Sequence, residues 1–186
     1  IIILKNRDIA DRWYVFNSNL SSANNKRLAL NESTAENTTS NLWGTSLPSS
    51  TTFSIDQAGY SGGAGQKNVA YCFSEVAGYS KFGSYTGNGS SDGVFVFLGF
   101  RAAFIMIKSS SLATDWDIIT ADIDGYNVVT KYINANQNSA EGTYTYLDIL
   151  SNGFKARNTG NSFNQSGASY IYMTFAESPF KNARAR

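Results

Sequence analysis

Residues 79–93, YSKFGSYTGNGSSDG, combine glycine with tyrosine, asparagine and aspartate, the residue types that grip phosphates or sugars. A phosphate-cradling loop needs Gly-x-x-x-x-Gly-Lys-Ser/Thr at the start of a helix. No lysine follows these glycines, and the next residues, VFVFLGF, read as a strand. Gly87, Gly89 and Gly93 also miss the Gly-x-Gly-x-x-Gly spacing of a dinucleotide loop. Two readings remain. In the plainer one the stretch is a set of turns between strands. In the sharper one Tyr79, Tyr85, Asn88 and Asp92 face a ligand. Aromatic faces stack on the C–H faces of sugars, and fixed amides and carboxylates hold their hydroxyls.

Catalytic chemistry finds little support. The chain has no histidine, which removes the commonest general base and the commonest transition-metal ligand together. A serine nucleophile would lack both its base and a Gly-x-Ser-x-Gly elbow. Glu75 and Glu177 each follow a strand-like run ending in Phe-x-Glu, and two carboxylates facing one cleft could hydrolyse a glycoside. A capping hydrogen bond to a neighbouring loop explains each of them more simply. Asp122, Asp124 and Gly125 resemble the start of a calcium loop, but Ile133 stands where the closing glutamate belongs, so an aspartate-rich turn is expected. The single cysteine, Cys72, lies in the apolar run VAYCFSE and is expected as a small buried side chain. No cofactor, metal site or enzymatic activity is expected.

The elements around these residues read as strands. Apolar segments are short and rich in Val, Ile, Phe and Tyr: IIIL, WYVF, FSI, VAYCF, VFVFLGF, FIMIK, WDIIT, FKA and YIYMTF. Asn88-Gly89, Asn152-Gly153, Gly62-Gly63 and Asp124-Gly125 punctuate them as turns, and Pro48 and Pro179 are expected beside strand ends. KYINANQNSAE could hold a turn or two of helix. Charged residues are 16% of the chain, against roughly 25% in an average domain, and aromatic residues are 14%. With a net charge of +1, nothing draws the chain toward nucleic acid or an anionic membrane. No run of apolar residues is long enough for a membrane-spanning helix, so no membrane insertion is expected. The expected fold is all-β: an antiparallel β-sandwich or jelly-roll.

The chain also repeats itself. IIILKNRDIADRWYVF (1–16) aligns without a gap on FIMIKSSSLATDWDII (104–119), placing Lys5 on Lys108 and Trp13 on Trp116. TAE (34–36) then falls on SAE (139–141), and YCFSE (71–75) on MTFAE (173–177). Landmarks in one order at a nearly constant separation imply a tandem duplication of a unit of roughly 100 residues. The expected repeats are 1–82 and 83–186, packed as one sandwich or two. The second copy has the lead-in DGVFVFLGFRAA, whereas the first opens on IIIL, so an N-terminal strand of the first copy is expected to be missing. Trp13 and Trp116 are expected in equivalent core positions.

YSKFGSYTGNG (79–89), GFR (99–101), SNGFK (151–155) and YMTFAE (172–177) resemble a family of tailed-phage virion proteins, and the similarity covers nearly the whole chain. In that family, found in marine phages and prophages, such blocks often follow concanavalin-A-like or SPRY-like sandwich modules in tail fibres. The family pattern has proline after GFR, where this chain has Ala102. The resemblance implies a β-sandwich component of a virion, an extracellular particle assembled in the host cytoplasm. Its implied partners are other virion proteins and further copies of itself, a trimer being favoured, with a host-surface glycan or receptor as ligand. Alternatives are a capsid-decoration or tail-scaffold protein without a host ligand, and a polysaccharide-degrading enzyme. The resemblance supplies no catalytic residues.

Overall fold

A computed structural model describes residues 1–38, 42–56 and 62–178. The chain is all-β, with 13 strands in two antiparallel sheets and no helix among the described residues. It divides into two compact units, Ile1–Phe73 and Ser74–Arg186. The expected boundary between 82 and 83 falls inside a strand that pairs along its whole length within the second unit, so the units part ahead of that strand.

The first unit is a sheet of β1 (Ile2–Asn6), β2 (Trp13–Phe16), β3 (Lys26–Ala29), β4 (Asn37–Thr38) and β5 (Asn68–Cys72). Its order is β4-β3-β2-β1-β5: four strands meander and the fifth returns beside the first. Ile2, Leu4, Tyr14 and Phe16 share one face of the sheet and form a core with Leu42 and Trp43. The Phe16 and Trp43 rings meet edge to face at 5.6 Å.

The second unit contains β6 (Ser80–Thr86), β7 (Phe95–Phe97), β8 (Ala102–Ser109), β9 (Asp117–Thr120), β10 (Val129–Asn134), β11 (Gly142–Leu150), β12 (Gly153–Ala156) and β13 (Ser169–Ala176). The order β6-β13-β8-β9-β10-β11-β12-β7 again meanders, from β8 to β12, before β13 returns beside β8. The sheet folds over on itself. Phe154 on β12 packs edge to face on Tyr172 of β13 at 5.8 Å and on Tyr85 of β6 at 6.0 Å, although β12 pairs with neither strand. Such contacts require two layers facing one core. A register shift on β10 between Val129 and Lys131 marks an irregularity of the kind that bends a strand.

The two units share their pairing pattern. Ile2 lies opposite Cys72 on β5, and Ile105 opposite Thr174 on β13. Lys26 pairs with Thr38, and Lys131 with Thr143. The Trp13 N–H donates to Asn31 Oδ1 at 2.9 Å, and the Trp116 N–H to Asn136 Oδ1 at 2.9 Å. Lys26 pairs with Glu36, and Lys131 with Glu141.

Several local expectations need correction. Cys72 is exposed, because it lies on β5 at the sheet edge. Trp116 is buried but Trp13 is only partly so, stacking on Tyr71. KYINANQNSAE opens in strand β10, where Tyr132 packs against the core, and contains no helix. FSI (53–55) is not a strand, and Pro48 sits among irregular residues rather than beside a strand. Asn152-Gly153 does turn β11 into β12, but Asn88-Gly89 joins β6 to β7, which do not pair. Pro179 lies outside the described residues.

Candidate functional site

A concavity in the second unit lies where β11 meets the loop after β12. A cavity of about 210 Å³ is lined by Tyr144, Tyr146, Asn158, Gly160, Asn161, Ser162 and Phe163. Strand alternation places Tyr144 and Tyr146 on one face of β11. Tyr146 is buried, while Tyr144 is 52% exposed and forms the outer wall. Their rings meet edge to face at 5.7 Å, and Tyr146 also meets Phe163 edge to face at 5.4 Å. Tyr132 of β10 backs Tyr146 at 4.7 Å. None of the lining residues is charged.

The loop that supplies the opposite wall is fixed by Asn158, which lines the cleft, and by side chains behind it. Asn158 donates to the Thr145 carbonyl at 2.8 Å and accepts from the Gly160 N–H at 2.9 Å. Asn164, fully buried, donates to Asn88 Oδ1, the Ser90 carbonyl and the Asn158 carbonyl, and accepts from the Asn88 N–H. Tyr85 and Tyr170 stack at 5.0 Å beneath the loop. The Tyr85 hydroxyl donates to the Phe163 carbonyl at 2.7 Å, and the Tyr170 hydroxyl to the Asn161 carbonyl at 2.8 Å. Burial pushes both phenols up, so they stay protonated donors.

Behind Tyr146 the core holds a buried carboxylate. Asp117 accepts from Asn134 Nδ2 at 2.6 Å, while its Oδ2 has no hydrogen-bond partner. Burial, followed by the neighbouring charge of Asp115, pushes the Asp117 carboxyl up to about 7; Tyr146, Asn134 and Lys108 pull the other way. Lys108, also buried, donates to the carbonyls of Ser109 and Leu112, and burial lowers its ammonium to about 8.

With this geometry in view, the matched extent of a known family decides the chain's membership. Residues 1–179 match the family described as Domain of unknown function (DUF7483). The chain belongs to the DUF7483 family. No curated protein and no solved structure matches it. The DUF7483 match runs through both units, so one family domain comprises the two sheets.

The four residues expected to face a ligand have different fates in this DUF7483 domain. Tyr85 is corrected: it is 9% exposed, part of the core, and its hydroxyl is committed to Phe163. Asn88 is exposed, yet its side chain holds Asn164 and the Ser90 N–H. Asp92, 74% exposed, pairs with Lys155 at 2.6 Å and Arg157 at 3.0 Å, which hold its carboxyl below the usual range. Tyr79 packs on Phe175 at 5.8 Å. Loop 87–93 is thus a brace: Gly87, Gly89 and Gly93 donate backbone hydrogen bonds to the carbonyls of Ala168, Asn164 and Ala156. A side chain at Gly87 would strike the Gln165 carbonyl at 2.3 Å. The two glutamates are also engaged. Glu75 accepts from the Phe82 N–H at 3.0 Å, and Glu177 pairs with Arg101 at 3.3 Å. Asp124 accepts from the N–H and hydroxyl of Thr130, as an aspartate-rich turn would.

Sequence reasoning missed the cleft. Its signal was the pair TYTY (143–146) and RNTGNSF (157–163), an alternating tyrosine strand followed by an amide-rich loop.

Proposed function

We propose that this DUF7483 domain is a structural module of a tailed-phage particle, in a fibre or spike, that holds a neutral sugar of a host-surface glycan in the Tyr144–Phe163 cleft. The cleft carries the reading. Exposed Tyr144 offers an aromatic face, Asn161 and Ser162 offer an amide and a hydroxyl, and no charge lines the site. That composition suits a polyhydroxylated, uncharged ligand bound shallowly. A weak site becomes effective on a multivalent appendage, where linked copies raise avidity by roughly 10²–10⁴. The virion setting rests on the resemblance of YSKFGSYTGNG and YMTFAE.

The same reading includes a doubled origin for the two units. Supporting it are the matched registers of β1–β5 with β8–β11 and β13, and the repeated Trp–Asn and Lys–Glu contacts.

The test is a glycan array probed with the wild-type chain and Tyr144→Ala. Binding to neutral glycans that disappears in Tyr144→Ala, at unchanged melting temperature, supports the site. Binding to no glycan, or equal binding by both proteins, refutes it and favours an architectural role.

A further inference from the structure

Neither backbone strain nor crowding requires glycine at position 160. Gly160 is not in the left-handed region. An added Cβ would lie 3.4 Å from Asn158 Oδ1, 3.8 Å from the Tyr144 hydroxyl and 3.9 Å from Tyr144 Cε1, all ordinary van der Waals distances. The backbone is nevertheless held firmly. The Gly160 N–H donates to Asn158 Oδ1 at 2.9 Å, and its carbonyl accepts from the Phe163 and Asn164 N–H groups at 3.2 and 2.8 Å. The direction in which a side chain would leave Gly160 is therefore fixed, and it points between Asn158 and Tyr144, two residues that line the cleft. Glycine thus leaves a recess the size of one carbon group, bounded by two oxygens and a ring edge. At about 210 Å³ the whole cleft is smaller than the roughly 300–1,000 Å³ of sites for drug-sized ligands, a scale that suits one sugar ring.

On the sugar-binding reading of the cleft, we propose that the recess over Gly160 takes the exocyclic hydroxymethyl group of a neutral hexopyranose, which makes Gly160 specificity-determining. The hydroxymethyl carbon occupies the place of the absent Cβ, in van der Waals contact with Tyr144 Cε1. Its hydroxyl bonds to the Tyr144 hydroxyl, a group that both donates and accepts. A pentopyranose lacks this group, leaves the recess empty and forfeits those contacts. A uronic acid brings a carboxylate against Asn158 Oδ1, an acceptor with no proton to offer, and is disfavoured.

The test measures binding of the full chain to multivalent conjugates of glucose against xylose and of galactose against L-arabinose, pairs that differ only in the hydroxymethyl group. The wild type is expected to bind the hexose of at least one pair about tenfold or more tighter, the worth of one well-packed carbon group. Gly160→Ala fills the recess with its own methyl. It should lose that preference, the hexose falling to the level of the pentose, while pentose binding is retained and the melting temperature stays at or above that of the wild type. Equal binding of hexose and pentose by the wild type overturns the role of Gly160 and leaves the cleft standing. So does a hexose preference that survives in Gly160→Ala while Tyr144→Ala abolishes binding. Binding to none of the four sugars, or binding indifferent to Tyr144→Ala, overturns the cleft as a sugar site and the recess with it.

Discussion

Asp117→Asn should stabilise the second unit near neutral pH. The Asp117 carboxyl is 1% exposed, its Oδ2 is unpartnered, and Asp115, Lys108, Tyr146 and Tyr85 are the titratable groups coupled to it. Its folded value, about 7, lies above that of the unfolded chain, so the folded state binds the proton more tightly. Stability from this group is complete below the ordinary carboxylate range, is lost as pH rises toward 7, and stays lost above it. Each pH unit of that rise is worth about 1.4 kcal/mol, which bounds the loss at roughly 4 kcal/mol. Asparagine keeps an acceptor for Asn134 and presents no charge to the core. The assay is urea unfolding of both proteins from pH 4.5 to 8, taking the difference at each pH so that other carboxylates cancel. The variant should match the wild type at pH 4.5 and exceed it by about 1–4 kcal/mol at pH 7.5. A flat difference across that range, or a variant less stable at pH 7.5, refutes the account of a carboxylate held at a desolvation cost. Lys108 shapes the alkaline side. Its folded value, about 8, is lowered by burial, so stability should rise between pH 8 and the ordinary lysine range.

Three further outcomes follow from named contacts. Asn164→Ala removes three donated hydrogen bonds and one accepted one from a buried position, and should cost about 2–4 kcal/mol by urea unfolding. Gly153→Ala places a methyl 2.1 Å from the Val96 carbonyl, so β7 should detach from β12, with faster amide exchange at Phe95–Phe97. Asp92→Asn leaves Lys155 and Arg157 on an open surface and should change the melting temperature very little.

Strand content was legible because short β-branched and aromatic runs bounded by glycine allow little else. IIIL, WYVF, FIMIK and YIYMTF all form strands. The place of each strand in a sheet was not legible. VAYCF reads as buried by composition, yet β5 lies at an edge, and edge position depends on which strands pair, information that spans the whole chain. In 79–93 two of the four expected residues have a structural task. They are of the kind that bind sugars, but they serve the neighbouring loop: Tyr85 and Asn88 hold Phe163 and Asn164. Whether a tyrosine faces solvent or a backbone carbonyl is decided by the folding-over of the sheet, which alternation alone does not encode. The cleft residues were equally ordinary in sequence, and only the meeting of β11 with residues 158–163 brings them together.

That division of labour has a consequence for binding. A loop held by buried hydroxyls and amides loses little conformational freedom when a ligand docks, so its affinity depends on side chains that never touch the ligand. Tyr85→Phe separates the two effects. The ring stays stacked on Tyr170 and packed against Phe154, while only the donor to the Phe163 carbonyl is lost. Stability should fall by about 1 kcal/mol or somewhat more, the worth of one buried hydrogen bond. The freed carbonyl loosens residues 160–163, so glycan dissociation should accelerate with little change in association rate. Tyr144→Phe, by contrast, keeps the loop rigid and alters the contact surface alone. If Tyr85→Phe weakens the fold but leaves the glycan dissociation rate unchanged, the loop that walls the cleft is not preorganised by Tyr85, and that hydrogen bond serves stability alone.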